Sequence, residues 1–175
     1  MNFSDAFAFV VGEEGVLSLD RGDKGNWTSG RVGIGTLRGT KYGISAAAYP
    51  DEDIANLTLD RARFLAKRDY WDKLCGDSIP YPIALGMFDA GYNEGISEAA
   101  RLAQKALGLA ADGVVGRATI AGLSNCSVPK FARKFCINRI VAYASLAYWV
   151  EDHDGWVGRV LDVYQQMIMS SPKSP

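Results

Sequence analysis

Apolar residues recur at helical spacing through most of this 175-residue chain, and one long glycine-rich stretch near the start interrupts them. Ser4 or Asp5 is placed to cap a first helix carrying Phe7, Phe9, Val10 and Val11, with Gly15 as its stop. From Leu17 to about Pro50 the periodicity is lost, and the β-branched piece Val32-Gly33-Ile34 predicts a small hairpin there. An irregular segment this long in a compact domain is usually functional.

Helical patterning then resumes. Thr58 caps a helix from Leu59 to about Leu74, with Leu65, Tyr70 and Trp71 among its apolar positions. Pro82 fits the start of another, through Ile83, Leu85, Met87 and Phe88. Ser97 is placed to cap a helix through Ala100, Leu102, Ala106 and Leu107 that Gly108 ends. After a turn at Asp112-Gly113, Thr119, Ile120 and Leu123 mark a short helix. Pro129 opens what reads as the longest run, through Phe131, Phe135, Ile140, Val141, Leu146 and Trp149. His153-Asp154-Gly155 is expected to break it before a last helix from Trp156 to Met169, followed by a flexible tail over 170–175. The expected class is mainly α, with a small irregular or β-hairpin lobe near the N-terminus.

Composition narrows the function. Hydrophobic residues make up 48% of the chain, enough for a real core. With 19 Lys and Arg against 20 Asp and Glu, no bulk field draws the protein to nucleic acid. The apolar runs are too short to span a bilayer, so stable membrane insertion is not expected. Cys75, Cys126 and Cys136 form no close pair and read as free thiols. His153 is the one histidine, so no metal site and no cofactor are expected. Met1-Asn2-Phe3-Ser4-Asp5 lacks a basic region and a long apolar run, which predicts no ordinary secretory signal.

Candidate chemistry concentrates in Glu13-Glu14-Gly15 and the loop that follows. Cleaving a glycosidic bond needs one protonated carboxylic acid at the leaving oxygen, and one carboxylate that activates water or stabilises the cationic transition state. Glu14, at the expected helix end, suits the acid, because the negative helix terminus disfavours its ionised form. Glu13 beside it pushes the same way. Asp23, on a glycine-flanked polar loop, suits the carboxylate, and a threonine hydroxyl near it can position water. A bland reading stands beside this one: a glutamate near a helix end is usually solvated, and Asp-x-Gly is usually a turn.

The N-terminal half resembles the N-acetylmuramidases of glycoside hydrolase family 108, found in phage endolysins and bacterial secretion-activator proteins. The matching places are Glu14-Gly15, Asp23, Gly25 and Thr40-Lys41-Tyr42-Gly43-Ile44, then Tyr70-Trp71-Asp72 and Phe88-Asp89-Ala90-Gly91-Tyr92-Asn93. The resemblance covers roughly residues 5–125. It implies a lysozyme-like fold and cleavage between N-acetylmuramic acid and N-acetylglucosamine, with Glu14 as general acid. Inversion, with Asp23 and Thr40 holding the water as in phage-type lysozymes, is expected over retention, a choice that the carboxylate separation decides. The chain departs from the family at Val16-Leu17 and carries extra residues from about Trp27 to Gly39. Thr28 is therefore a rival for the hydroxyl, and Thr40 is preferred for its Thr-x-x-Gly-Ile context.

Asp112-Gly113-Val114-Val115-Gly116-Arg117-Ala118-Thr119 resembles a short peptidoglycan-binding motif, and reads equally well as a structural corner. Trp27 and Tyr42, in the glycine-rich segment, are candidates to stack on sugars; Tyr70 is carried with them, although its helical spacing also suits a core. Asn93 either bonds an N-acetyl group or caps its helix. The basic run Lys130, Arg133, Lys134 and Arg139 reads as a solvated helix face or a wall-binding patch. The expected organisation is a catalytic region over 1–95 and a peptidoglycan-binding-like helical region over 96–169 packed on it. The expected partner is bacterial peptidoglycan, met by a monomer that waits in the host cytoplasm and reaches the periplasmic wall on release. Rival readings are a non-catalytic peptidoglycan binder and an amidase or peptidase on the same polymer.

Overall fold

A computed structural model describes residues 1–12, 15–146 and 149–171, with the backbone alone for 149–152. It is mainly helical, with one two-stranded sheet near the N-terminus, as the patterning predicts. The chain forms two compact units, an N-terminal lobe over Phe7–Lys67 and a helical unit of Met1–Ala6 with Arg68–Pro175.

Helix α1, Phe3–Val10, enters the lobe and stops sooner than expected. Gly12, with φ 75°, turns the chain, and its N–H still reaches the Ala8 carbonyl at 3.1 Å. The stop is therefore Gly12 and not Gly15. Strands β1, Thr40–Lys41, and β2, Ile44–Ser45, pair antiparallel, with Thr40 opposite Ser45 and Lys41 opposite Ile44. The two linking residues, Tyr42 and Gly43, both have positive φ, at 51° and 72°. That is the tight hairpin turn whose twist matches paired strands. The hairpin expected at Val32-Gly33-Ile34 does not form. Gly30, Gly33 and Gly35 all take positive φ, which breaks any extended run, and Val32 and Ile34 are exposed.

The lobe closes with α2, Leu59–Ala66, whose first turn is capped by Thr58 Oγ1 accepting from the Arg61 N–H at 3.2 Å. Phe7, Val10, Ile44, Ile54, Leu57 and Leu65 are its large buried apolar residues. Beyond Ala66 the helix continues as a wider π-turn over Lys67–Trp71.

In the helical unit, α3 (Tyr81–Glu94) is buried continuously from Pro82 to Gly91. A helix apolar all round must be surrounded, and α4 (Ile96–Leu107), α6 (Val128–Ala144) and α7 (Trp149–Met169) pack on it, with α5 (Arg117–Asn125) against α4. At Gly86 a side chain would overlap the Met167 sulfur, so α3 and α7 approach closely there. Phe3, Trp71, Phe88, Tyr92 and Tyr70 form one aromatic cluster, with neighbouring ring centroids 4.8–5.8 Å apart.

Two expectations fail here. Ser97 does not cap α4; Gly95, with φ 95°, takes that position and the Ser97 hydroxyl accepts from Arg101 at 2.7 Å. The break expected at His153-Asp154-Gly155 is absent, since α7 runs through it and is the longest helix. A mid-helix glycine costs only about 1 kcal/mol, and buried Val160, Val163 and Met167 outweigh that. The chain leaves α6 at Ser145 instead. Residues 172–175 of the expected tail lie outside the described residues. Among the described residues, no helix is long and apolar enough to cross a membrane.

Candidate active site

Glu13 and Glu14 lie outside the described residues. Helix α1 ends at Val10 and not beside Glu14 as the sequence pattern predicts. The residue after Glu14 is informative. A Cβ on Gly15 would fall 2.1–2.5 Å from three atoms of the Tyr42 ring, so the ring lies directly on the glycine and would have to move for any other residue. Tyr42 itself sits in the left-handed region at the hairpin tip, a conformation that costs a non-glycine residue energy and tends to occur at functional sites.

Thr40 is fixed from the other side. Its N–H donates to the Ser18 carbonyl at 3.0 Å, and its carbonyl accepts from the Ser18 N–H at 2.9 Å. Gly39 must be glycine, since a Cβ there would meet the Ser18 carbonyl oxygen at 2.4 Å. Asp23 opens a 3-10 turn over Lys24–Asn26, and its exposed carboxylate accepts from the Gly25 N–H at 2.8 Å.

Asn26, which the sequence reading passed over, joins these pieces. It is fully buried; its amide donates to the Asp20 carbonyl at 2.9 Å and reaches the Ser18 hydroxyl at 3.4 Å. Its backbone carbonyl accepts from the N–H groups of Arg38 and Gly39, both at 3.0 Å. One residue thus ties the Asp23 turn to the strand that carries Thr40. Its only signal in the sequence was a polar residue in a glycine-rich loop.

Trp27 is half-buried, and its indole N–H donates to the Arg21 carbonyl at 3.0 Å. The inserted residues close on themselves through a bridge between Trp27 and Leu37. Thr28 serves that closure, with its hydroxyl accepting from the Thr36 N–H at 3.0 Å. Asp23, Trp27, Thr40 and Tyr42 therefore all belong to this lobe, and Thr28 has a structural task.

Tyr70 and Asn93 belong to the helical unit. The half-buried Tyr70 ring packs 4.8 Å from Tyr92, and the exposed Asn93 donates from its amide to the Asp89 carbonyl at 2.8 Å. Around the Asp112 turn, buried Gln104 donates to Asp112, the Val114 carbonyl and Thr119, and accepts from the Gly113 N–H. The polar side chains of this motif hold a corner together.

The basic run divides. Lys130, Arg133 and Lys134 border a pocket of about 340 Å³, but Arg139 is fully buried and not part of any solvated face. Its guanidinium meets Asp89 at 2.9 Å and Glu94 at 2.6 Å, while Arg159 meets the other Asp89 oxygen at 2.6 Å. The Tyr143 hydroxyl also donates to Glu94. Burial alone would lower the Arg139 pKa, but the two carboxylates outweigh it and hold the guanidinium charged. Burial raises the Tyr143 phenol above its usual range and pushes the Cys136 thiol up to about 12.

A mainly helical fold with a small two-stranded lobe near the N-terminus is that of a lysozyme-like glycoside hydrolase. The family described as Glycosyl hydrolase 108 matches residues 7–95, just over half of the chain. The chain belongs to that family, a family of peptidoglycan hydrolases. Among solved structures it is similar to SagA of Brucella abortus, at 24% identity and a TM-score of 0.82 over 98% of this chain and 97% of that one. No curated protein sequence matches the chain.

Proposed function

We propose that the protein is an N-acetylmuramidase that cuts the β-1,4 bond between N-acetylmuramic acid and N-acetylglucosamine, with Glu14 as general acid. The observation that supports this reading is the Tyr42 ring seated on Gly15, the residue that follows Glu14 in the chain, which ties Gly15 to the Thr40 hairpin. Glu14 protonates the leaving oxygen. Asp23 and Thr40 hold the water that attacks the opposite face, which gives inversion. Asp23 sits on an exposed turn, its carboxylate accepting from the Gly25 N–H. Trp27 and Tyr42 offer flat faces to sugar rings. The setting that fits is a phage endolysin released onto the wall of its host.

Glu14→Gln keeps the shape of the side chain but cannot give up a proton. Lysis of purified walls is expected to fall by about two to four powers of ten, the usual worth of general acid catalysis, with the thermal unfolding curve unchanged. Activity within about tenfold of the parent would move the role elsewhere, first to Glu13.

A further inference from the structure

The helical unit holds a pocket of about 510 Å³, lined in part by Asn93, Glu94, Glu98, Tyr143, Trp156 and Arg159. Three features of its lining point to one kind of ligand. The first is Glu94, whose side chain is only 9% exposed. Its Oε1 accepts from Arg139 Nε and Nη2 and from the Tyr143 hydroxyl, while Oε2 is buried with no hydrogen-bond partner among the described residues. A buried charged acceptor left unsatisfied is costly and calls for a donor.

The second is the charge balance. The Arg139 guanidinium is committed to Asp89 and Glu94, and Arg159 is held on Asp89. Among the described residues Glu98 is paired only with Arg101 at 4.0 Å, and that nitrogen bonds the Ser97 hydroxyl at 2.7 Å. Asp89 and Glu94 therefore take up Arg139 and Arg159, and Glu98 is left with a distant guanidinium that it shares with Ser97. The third is the aromatic wall: Tyr143 and Trp156 lie 5.2 Å apart with their planes 32° from parallel. Such faces attract cations.

We propose that this pocket binds a primary alkylammonium group, with Glu94 and Glu98 accepting its N–H bonds and its carbon chain lying against Tyr143 and Trp156. In peptidoglycan the sugar nitrogens are acylated, so free amines of this kind sit on the diamino acid of the peptide stem. The pocket would then read the peptide and not the glycan strand. The binding chemistry does not depend on the muramidase reading, and a binding measurement tests it even if wall cleavage fails.

The probe is Nα-acetyl-lysine methylamide, titrated calorimetrically into the full chain, with its Nε-acetylated form as control. The amine is expected to bind, and the acetylated form to bind at least about tenfold more weakly, since it loses both the charge and two donors. Glu98→Gln and Trp156→Leu, each with a parental unfolding curve, should each weaken the amine several-fold, and added salt should weaken it further. Equal binding of the two probes, no binding of the amine at millimolar concentration, or parental affinity in both variants would overturn the proposal.

Discussion

At the scale of single residues, the two threonines separate most cleanly. Thr40→Ala removes a hydroxyl from a hairpin strand without touching the backbone bonds to Ser18, so wall lysis should drop at least about tenfold while stability barely changes. Thr28→Ala removes the acceptor for the Thr36 N–H and should cost about 0.5–1.5 kcal/mol of stability with lysis near parental. Parallel lysis and melting curves on the two variants check this, and the reverse pattern would place the insertion in the site. Glu14-Gly15, Asp23 and Thr40 stand out in the sequence as candidates because each sits in a short, spaced signature. Asn26 does not, because its role depends on bonds to Asp20, Ser18, Arg38 and Gly39 that only the folded loop brings together. Arg139 misled for a related reason: a cation in a basic run looks solvated until Asp89 and Glu94 arrive from another helix.

At the scale of elements, helix periodicity located most helices, and their ends were the weak point. Gly12 and Gly95 took stops and caps that Gly15 and Ser97 were read as providing, since several nearby glycines and hydroxyls compete and packing chooses among them. Packing also carried α7 through Gly155. The same packing predicts the fate of a truncated chain. A cut after Asn125 removes α6 and α7, which surround α3, and leaves buried Asp89 and Glu94 without Arg139 and Arg159. Breaking a buried pair this way costs about 3–5 kcal/mol, against a total stability of about 5–15 kcal/mol. The fragment should be unfolded or aggregated by circular dichroism and gel filtration. A folded, active fragment would show that α6 and α7 form a separable module.

At the scale of the whole molecule, buried acids set the alkaline limit. Cys136 is raised from the ordinary 9.0 to about 12 by burial, so above pH 9 the unfolded chain releases a proton that the folded one keeps. Stability from this group is complete below pH 9 and declines as pH rises, by about 1.4 kcal/mol per unit while only the unfolded thiol ionises. Tyr143, also raised by burial, adds to the decline above pH 10. Urea titrations with reductant between pH 8 and 10 should show the slope, and Cys136→Ala should remove its first part. A flat profile would mean that the thiol is solvated. The measurement that bears most directly on the central reading is the mass spectrum of purified peptidoglycan after digestion. A muramidase adds one water per cut and leaves fragments with a reducing N-acetylmuramic acid end, with every peptide still attached. Fragments ending in reducing N-acetylglucosamine, or free peptides released from intact glycan, would contradict it.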